Sequence, residues 1–330
     1  MEPKFKKLDS SLQVPNVQEL AKEKSTTIPP RYQRPNEDHL VSSLTENQIP
    51  VIDMQKLMEK YSMDAELQKL HTARKEWGFF QLINHGVSFP KVEKMKLEIQ
   101  EFFSLPIEEK KKFSQESGDI EGYGRAFVVS EEQKLDWADL FFAITLPIHC
   151  RKPHLISKLP TKFRDAIDEY AAELKNRAMK ILDIMAKALQ MKTEEMNMVF
   201  EEGMKAMRMN YYSPCPQSEL VTGLNPHSDA VGLTILLQVS EIEGLQIKKD
   251  GAWIPVVPLP NAFVINIGDI LEIVTNRIYR SIEHRATVNS KKERLSIATF
   301  FHPNIDSDLG PEPSLMTLQQ NLKGSALLII

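Results

Sequence analysis

From residue 206 onward the chain breaks into short apolar runs, at 207–211, 233–238, 245–248, 262–267, 281–288 and 294–301, separated by Pro, Gly and Asn. Runs of that length read as strands. Many short strands at this spacing point to a sandwich or jelly roll, which manages its edges by folding two sheets together. The chain before residue 206 has a different texture. After Pro160, the residues Phe163, Ile167, Tyr170, Leu174, Ala178, Ile181, Met185 and Leu189 recur at steps of three or four, which predicts one long helix with a single apolar stripe. Leu67, Leu70, Ala73 and Trp77 predict another helix, ended by Gly78, and residues 92–103 a further one that stops before Pro106. Strands are expected at 49–53 and 79–84, whereas 114–125, with Gly118, Gly122 and Gly124, reads as loop. Helices first and strands afterwards give an α+β chain with one β core.

At 330 residues the chain is long enough for one large domain or one core with a helical addition. The expected division is 1–150, an N-terminal helical and mixed region, and 151–330, a jelly-roll unit with its long supporting helix. Residues 1–48 are polar and broken by Pro29, Pro30 and Pro35, so they are expected to form a loosely packed lead-in. A net charge of −4 and the lack of a dense Lys/Arg stripe argue against nucleic acid as a partner. The run from Glu108 to Lys112 mixes both signs and reads as a solvated helix face. No apolar run approaches the ~20 residues of a membrane helix, and the N-terminus lacks the apolar core of a secretory signal. With two cysteines, Cys150 and Cys215, no disulfide framework is implied, and a cytoplasmic protein is expected. Nothing demands more than a monomer.

Three residues stand out for their chemistry. His227 and Asp229 are separated by one residue, so on an extended segment they face the same side, their Cα atoms about 6–7 Å apart at ~3.3 Å per residue. His284 follows far enough downstream for several strands to intervene, and alternation directs it to the face of Ile282. Two histidines and one carboxylate are the protein part of a facial iron(II) site, which leaves coordination positions open. The bland alternative is a loop histidine beside a capping carboxylate, plus an unrelated surface histidine. Arg294 and Ser296 share a face at the start of the last strand, and Arg offers a planar fork suited to a carboxylate. A permanent charge among Leu295, Ile297 and Ala298 should be costly unless something anionic meets it. Its bland alternative is an internal salt bridge with Glu272 or Glu283.

At this point the residues match a known family. Residues 49–53 (Ile-Pro-Val-Ile-Asp), 76–87 (Glu-Trp-Gly-Phe-Phe-Gln-Leu-Ile-Asn-His-Gly-Val) and 209–212 (Met-Asn-Tyr-Tyr), with His227-Ser228-Asp229, His284 and Arg294-Leu295-Ser296, occur in order. In these the chain resembles the plant 2-oxoglutarate- and iron(II)-dependent dioxygenases, most closely the alkaloid O-demethylase subgroup, over about residues 10 to 315.

The resemblance implies a double-stranded β-helix (jelly roll) core with N-terminal and flanking α-helices. It implies Fe(II) held by His227, Asp229 and His284, and 2-oxoglutarate held by Arg294 and Ser296 with Tyr212 and Asn210 lining the same pocket. O2 is the oxidant, and ascorbate the expected reductant. The reaction implied is hydroxylation or O-demethylation of a small aromatic plant metabolite, coupled to decarboxylation of 2-oxoglutarate to succinate and CO2. Phe300 and, in the loop from Gly118 to Val129, Phe127 are substrate-side candidates. His85 is expected to be structural and Cys215 a packed thiol. The chain departs from the family pattern at Ser213, where relatives usually have Pro, and beyond Met316, where they continue with a helix that closes the barrel mouth. A weakly active or non-catalytic member that binds a small molecule, and an ascorbate-dependent iron oxidase without 2-oxoglutarate, are the alternatives. A hydrolytic zinc site fits less well, because no general base is paired with the ligands at fixed spacing.

Overall fold

The structure is a computed structural model that describes residues 14–23, 27–34, 48–116, 119–125, 128, 130–311 and 315. Its strands in chain order are β1 (Val51–Asp53), β2 (Phe79–Ile83), β3 (Gly122–Gly124), β4 (Asp139–Leu146), β5 (Lys205–Tyr212), β6 (Leu224–His227), β7 (Leu233–Gln238), β8 (Leu245–Lys249), β9 (Ala252–Pro255), β10 (Phe263–Ile267), β11 (His284–Ala286) and β12 (Arg294–Phe301). Its helices are α1 (Val17–Lys22), α2 (Met63–Glu76), α3 (Phe89–Ser104), α4 (Ile107–Lys111), α5 (Pro153–Lys158), α6 (Thr161–Ala188), α7 (Thr193–Phe200) and α8 (Asp269–Val274). The strands form an eight-stranded sheet, ordered β1-β2-β10-β7-β12-β5-β4-β3, and a four-stranded sheet, ordered β6-β11-β8-β9. This is the expected jelly roll, with helices outside it.

The loop expected at 114–125 contains β3, which pairs with β4. The strand expected at 281–288 is shorter, because only His284–Ala286 reaches its neighbours. The long helix is as expected. The stripe of α6 from Phe163 to Met185 is buried against the sheet and α3, joining Leu233, Ile235, Ile265, Ile297 and Ile99 in the main core. Leu174 on that stripe is fully buried, so Leu174→Ala would cost about 2–5 kcal/mol. Gly78 ends α2 with φ +62, and a Cβ there would lie 2.4 Å from the Arg280 carbonyl oxygen, so a larger residue is doubly refused.

Strand alternation separates two chemistries on the large sheet. On β12, Leu295, Ile297 and Phe301 join the helix-side core, which leaves Arg294, Ser296, Ala298 and Phe300 on the inner face. On β5 the helix-side residues are Met207, Met209 and Tyr211, and the inner ones are Arg208, Asn210 and Tyr212. On β7 and β10 the helix side takes Leu233, Ile235, Leu237, Phe263, Ile265 and Ile267, so Thr234, Leu236, Gln238, Val264 and Asn266 turn inward. Part of the space between the sheets is filled by Phe79 and Val264 against Leu245, Ile247 and Ile254. The rest is a cleft lined by both polar and apolar side chains.

Candidate active site

The two histidines meet because β6 and β11 pair antiparallel with His284 directly opposite His227, their ring centroids 4.3 Å apart. Asp229 lies just past the end of β6, in the connection to β7. Its backbone carbonyl accepts from Asp269 N–H at 2.8 Å. One carboxylate oxygen, Oδ1, faces both imidazoles, 3.5 Å from His227 Nε2 and 3.7 Å from His284 Nε2. Both separations are within the span of two bonds of about 2.1 Å to a common ion. All three donor atoms lie within 4.8 Å of one another.

The surroundings prepare those atoms to be ligands. His227 Nδ1 contacts the Asn225 carbonyl at 2.7 Å, and His284 Nδ1 the Ile282 carbonyl at 3.1 Å. A carbonyl can only accept, so each Nδ1 carries the proton and each Nε2 presents its lone pair to the site. The far oxygen of Asp229, Oδ2, accepts from Thr234 Oγ1 at 2.6 Å and Asn266 Nδ2 at 2.8 Å, both in buried positions. Burial would raise the Asp229 pKa, but the two imidazoles and the Thr234 hydroxyl outweigh it and hold the carboxyl well below its usual range. Burial lowers His284, whereas on His227 the neighbouring Asp229 overcomes burial and raises it.

Beyond this triad, Arg294, Ser296, Tyr212 and Asn210 are all buried, on adjoining strands paired Arg294↔Tyr212 and Ser296↔Asn210. The Arg294 guanidinium lies over the Tyr212 ring at 5.1 Å, and its Nη2 donates to Gln238 Oε1 at 3.2 Å. Its Nε is buried with no acceptor among the described residues. The two carboxylates named as possible partners are engaged elsewhere, Glu272 by the Ser281 N–H and Glu283 by Lys248. A buried, permanently charged group without a counter-charge among the described residues is strongly unfavourable, so an anion entering from outside the chain would stabilise this pocket. Gly244 makes room for it: a Cβ there would lie 2.7 Å from Arg294 Cδ.

Residues 49–160 match the family described as non-haem dioxygenase in morphine synthesis, N-terminal, and residues 203–303 match the 2OG-Fe(II) oxygenase superfamily. The chain is 61% identical over 312 residues to oxoglutarate-dependent flavonoid 7-O-demethylase 1 of Ocimum basilicum, covering 94% of this chain and 84% of that one. It is 53% identical over 324 residues to thebaine 6-O-demethylase of Papaver somniferum, covering 95% and 89%. Among solved structures it superposes on JOX2 in complex with 2OG, Fe and JA, with a TM-score of 0.84 and 34% identity, covering 94% and 89% of the two chains. The chain belongs to the 2OG-Fe(II) oxygenase superfamily. It is an Fe(II)- and 2-oxoglutarate-dependent oxygenase, with O2 as co-substrate.

In this oxygenase Phe300, Leu224 and Ala298 give the cleft apolar wall beside the triad. Phe127 lies outside the described residues, as do Gly118, Val129 and the chain beyond Leu315. His85 stacks on Phe263 at 4.2 Å with its Nδ1 accepting from the Val87 N–H, a structural setting. Cys215 is buried, and burial pushes its thiol up, away from reactivity. Sequence reasoning missed Thr234, Asn266, Gln238 and Arg208. A usable signal existed for Asn266, a lone amide inside the apolar run Phe263–Ile267, where an unpartnered amide would be costly. Among the described residues no helix is long and apolar enough to cross a membrane.

Proposed function

We propose that His227, Asp229 and His284 hold the iron, and that Arg294 and Ser296 fix the far carboxylate of 2-oxoglutarate beside Tyr212 and Asn210. The enzyme then hydroxylates or O-demethylates a small aromatic plant metabolite. The observation that carries the site assignment is the cross-strand pair His227–His284 sharing one Asp229 oxygen, next to a buried guanidinium that lacks an anion. The substrate class is supported by the two relatives named as O-demethylases.

With iron, 2-oxoglutarate and O2 bound, the centre supplies the oxidising power that places one oxygen atom on a substrate C–H and the other in succinate, with loss of CO2. The chain's own residues do the rest. Nδ1–H bonds to Asn225 and Ile282 fix the imidazole planes, and Thr234 with Asn266 turns Asp229 so that Oδ1 alone points inward. Arg294 orients the keto acid, and the apolar wall of Phe300, Leu224 and Ala298 limits water. Oxygen inserted into a methoxyl C–H gives a hemiacetal, which collapses to phenol and formaldehyde, so hydroxylation and demethylation share one machinery.

The test is a panel of methoxylated flavonoids and alkaloids with purified protein, Fe(II), ascorbate and 2-oxoglutarate. Mass spectrometry should show gain of one oxygen atom or loss of one CH2, with succinate formed in step. Asp229→Ala should abolish succinate formation, and Arg294→Ala should chiefly raise the KM for 2-oxoglutarate. Wild-type turnover by both variants would refute the site assignment.

A further inference from the structure

We propose that Arg208 is the specificity-determining residue of the cleft, its guanidinium taking an oxygen acceptor of the organic substrate, a phenolate or ring carbonyl, beside the C–H that reacts. The proposal rests on the oxygenase reading above and adds what part of the substrate is recognised.

Three arginines line the cleft, and two of them are committed. Arg294 is held by Gln238 and Tyr212 on the side assigned to the keto acid. Arg285 donates from Nε to Gln246 Oε1 at 2.8 Å and stacks on the Trp253 ring at 4.1 Å. Arg208 differs. Its Nε donates to Asn210 Oδ1 at 2.8 Å, which fixes the plane of the fork, while Nη1 and Nη2 make no hydrogen bond or ion pair among the described residues. The residue is half-buried, so those groups are presented to the cleft and not sealed in the core.

Position and charge both favour a substrate role. Alternation along β5 puts Arg208 on the inner face with Asn210 and Tyr212, and Asn210 in turn donates to Ser296 Oγ at 3.4 Å. Arg208 therefore sits one step beyond the keto acid pocket, near enough to His227 for its charge to act on that imidazole. Directly across, β12 places Ala298, whose small side chain adds little bulk beside Arg208, with Phe300 two residues along the same face. Asp136, which contacts Arg34 at 3.4 Å, also supplies the opposite charge felt by Arg208, so the region stays balanced without a direct ion pair to the Arg208 fork among the described residues. A rigid, pre-oriented fork beside an apolar wall discriminates for a planar ring bearing an acceptor oxygen, because a ring lacking it would leave the guanidinium desolvated and unpaired.

The test uses matched pairs of methoxyarenes that differ by one phenol or carbonyl oxygen. For each, kcat/KM and the Kd to the anaerobic Fe(II)·2-oxoglutarate enzyme are measured. Wild-type protein should favour the acceptor-bearing member by on the order of 10–100-fold. Arg208→Met should bring that ratio to near one, mostly through KM, and Arg208→Lys should restore part of it for phenolates. The lysine variant also carries the test if the methionine variant fails to fold. A role confined to supporting Asn210 would instead raise the KM for 2-oxoglutarate and leave the ratio intact, which overturns the proposal. Equal turnover of both members by the wild type overturns it while leaving the oxygenase reading in place. Failure of the wild type to bind any member of the panel overturns the aromatic substrate class, and this proposal with it.

Discussion

Thr234→Val isolates one of the two bonds that aim Asp229. Valine keeps the shape of threonine and removes only the hydroxyl, which lies 2.6 Å from Asp229 Oδ2 in a buried position. A hydrogen bond to a charged group is worth about 1.5–3 kcal/mol. Loss of a group that supports a metal ligand from behind typically lowers metal affinity about 10–100-fold, or roughly 1.4–2.8 kcal/mol. The two estimates agree, so most of the bond's worth should appear as weaker metal binding. Asn266→Leu, which removes the 2.8 Å bond to the same oxygen, should cost a similar amount. Removing both donors leaves Oδ2 free to swing inward and compete for space with 2-oxoglutarate, so the double variant should lose more in kcat than its metal affinity explains. The assay is anaerobic calorimetric titration of metal-free protein with Fe(II), and with Mn(II) as an inert stand-in, alongside circular dichroism to confirm the fold. Thr234→Ser, which keeps a hydroxyl, should return near to wild-type affinity. A folded Thr234→Val protein that binds metal as tightly as wild type would show that Asp229 needs no such support.

Gly244→Ala should raise the KM for 2-oxoglutarate by about tenfold, since its new methyl would displace Arg294 from a 2.7 Å approach; an unchanged KM in steady-state succinate assays would contradict the placement of that pocket. His85 supplies a pH prediction. Burial, aided by the Arg177 charge and opposed by the Asn261 carbonyl, lowers its pKa to about 4, against an ordinary value of 6.5. Above pH 6.5 the ring is neutral in folded and unfolded chains alike and contributes nothing. Between 6.5 and about 4 only the unfolded chain takes the proton, so stability falls as pH falls through that window. His85→Gln should give a shallower decline in Tm between pH 7 and 5 than wild type. His302, also lowered to about 4 by burial, leaves part of the slope in place. Equal slopes for the two proteins would refute the assignment.

What the sequence makes legible follows from how each element earns its burial. Helix α6 and the central strands β7, β10 and β12 announce themselves because one face of each meets a large apolar core, and period is the record of that face. The strands that escape such reading are mostly edges. β6 (Leu-Asn-Pro-His) carries Pro226 and is half-exposed throughout, which its place at the end of the small sheet allows; β9 ends in Pro255 at the opposite edge, and β3 has two glycines at the end of the large sheet. β4 was hidden for another reason. It pairs on both edges, with β3 and β5, and its Asp-Leu-Phe-Phe-Ala-Ile-Thr-Leu shows no polar–apolar alternation to distinguish strand from helix.

The site divides along the same line. His227, Asp229, His284, Arg294 and Ser296 could be singled out because their chemistry is dear to bury and they cluster in three short motifs. Thr234, Gln238 and Arg208 carry no such mark, being polar residues of ordinary type in ordinary strands, and Asn266 is marked only as a lone amide in an apolar run. Only strand pairing, which sets Thr234 against Asn266 and Phe300 and sets Arg208 against Ala298, shows that they share one wall with His227, Asp229 and His284. Register is a long-range property, fixed by which apolar residues find the helix-side core. A one-residue slip of β7 would send Thr234 into that core and Ile235 toward Asp229, with loss of both the packing and the bond. The residues that bury Leu233, Ile235 and Leu237 therefore also aim the carboxylate, and core variants that loosen β7, such as Ile235→Ala, should weaken metal binding as well as stability.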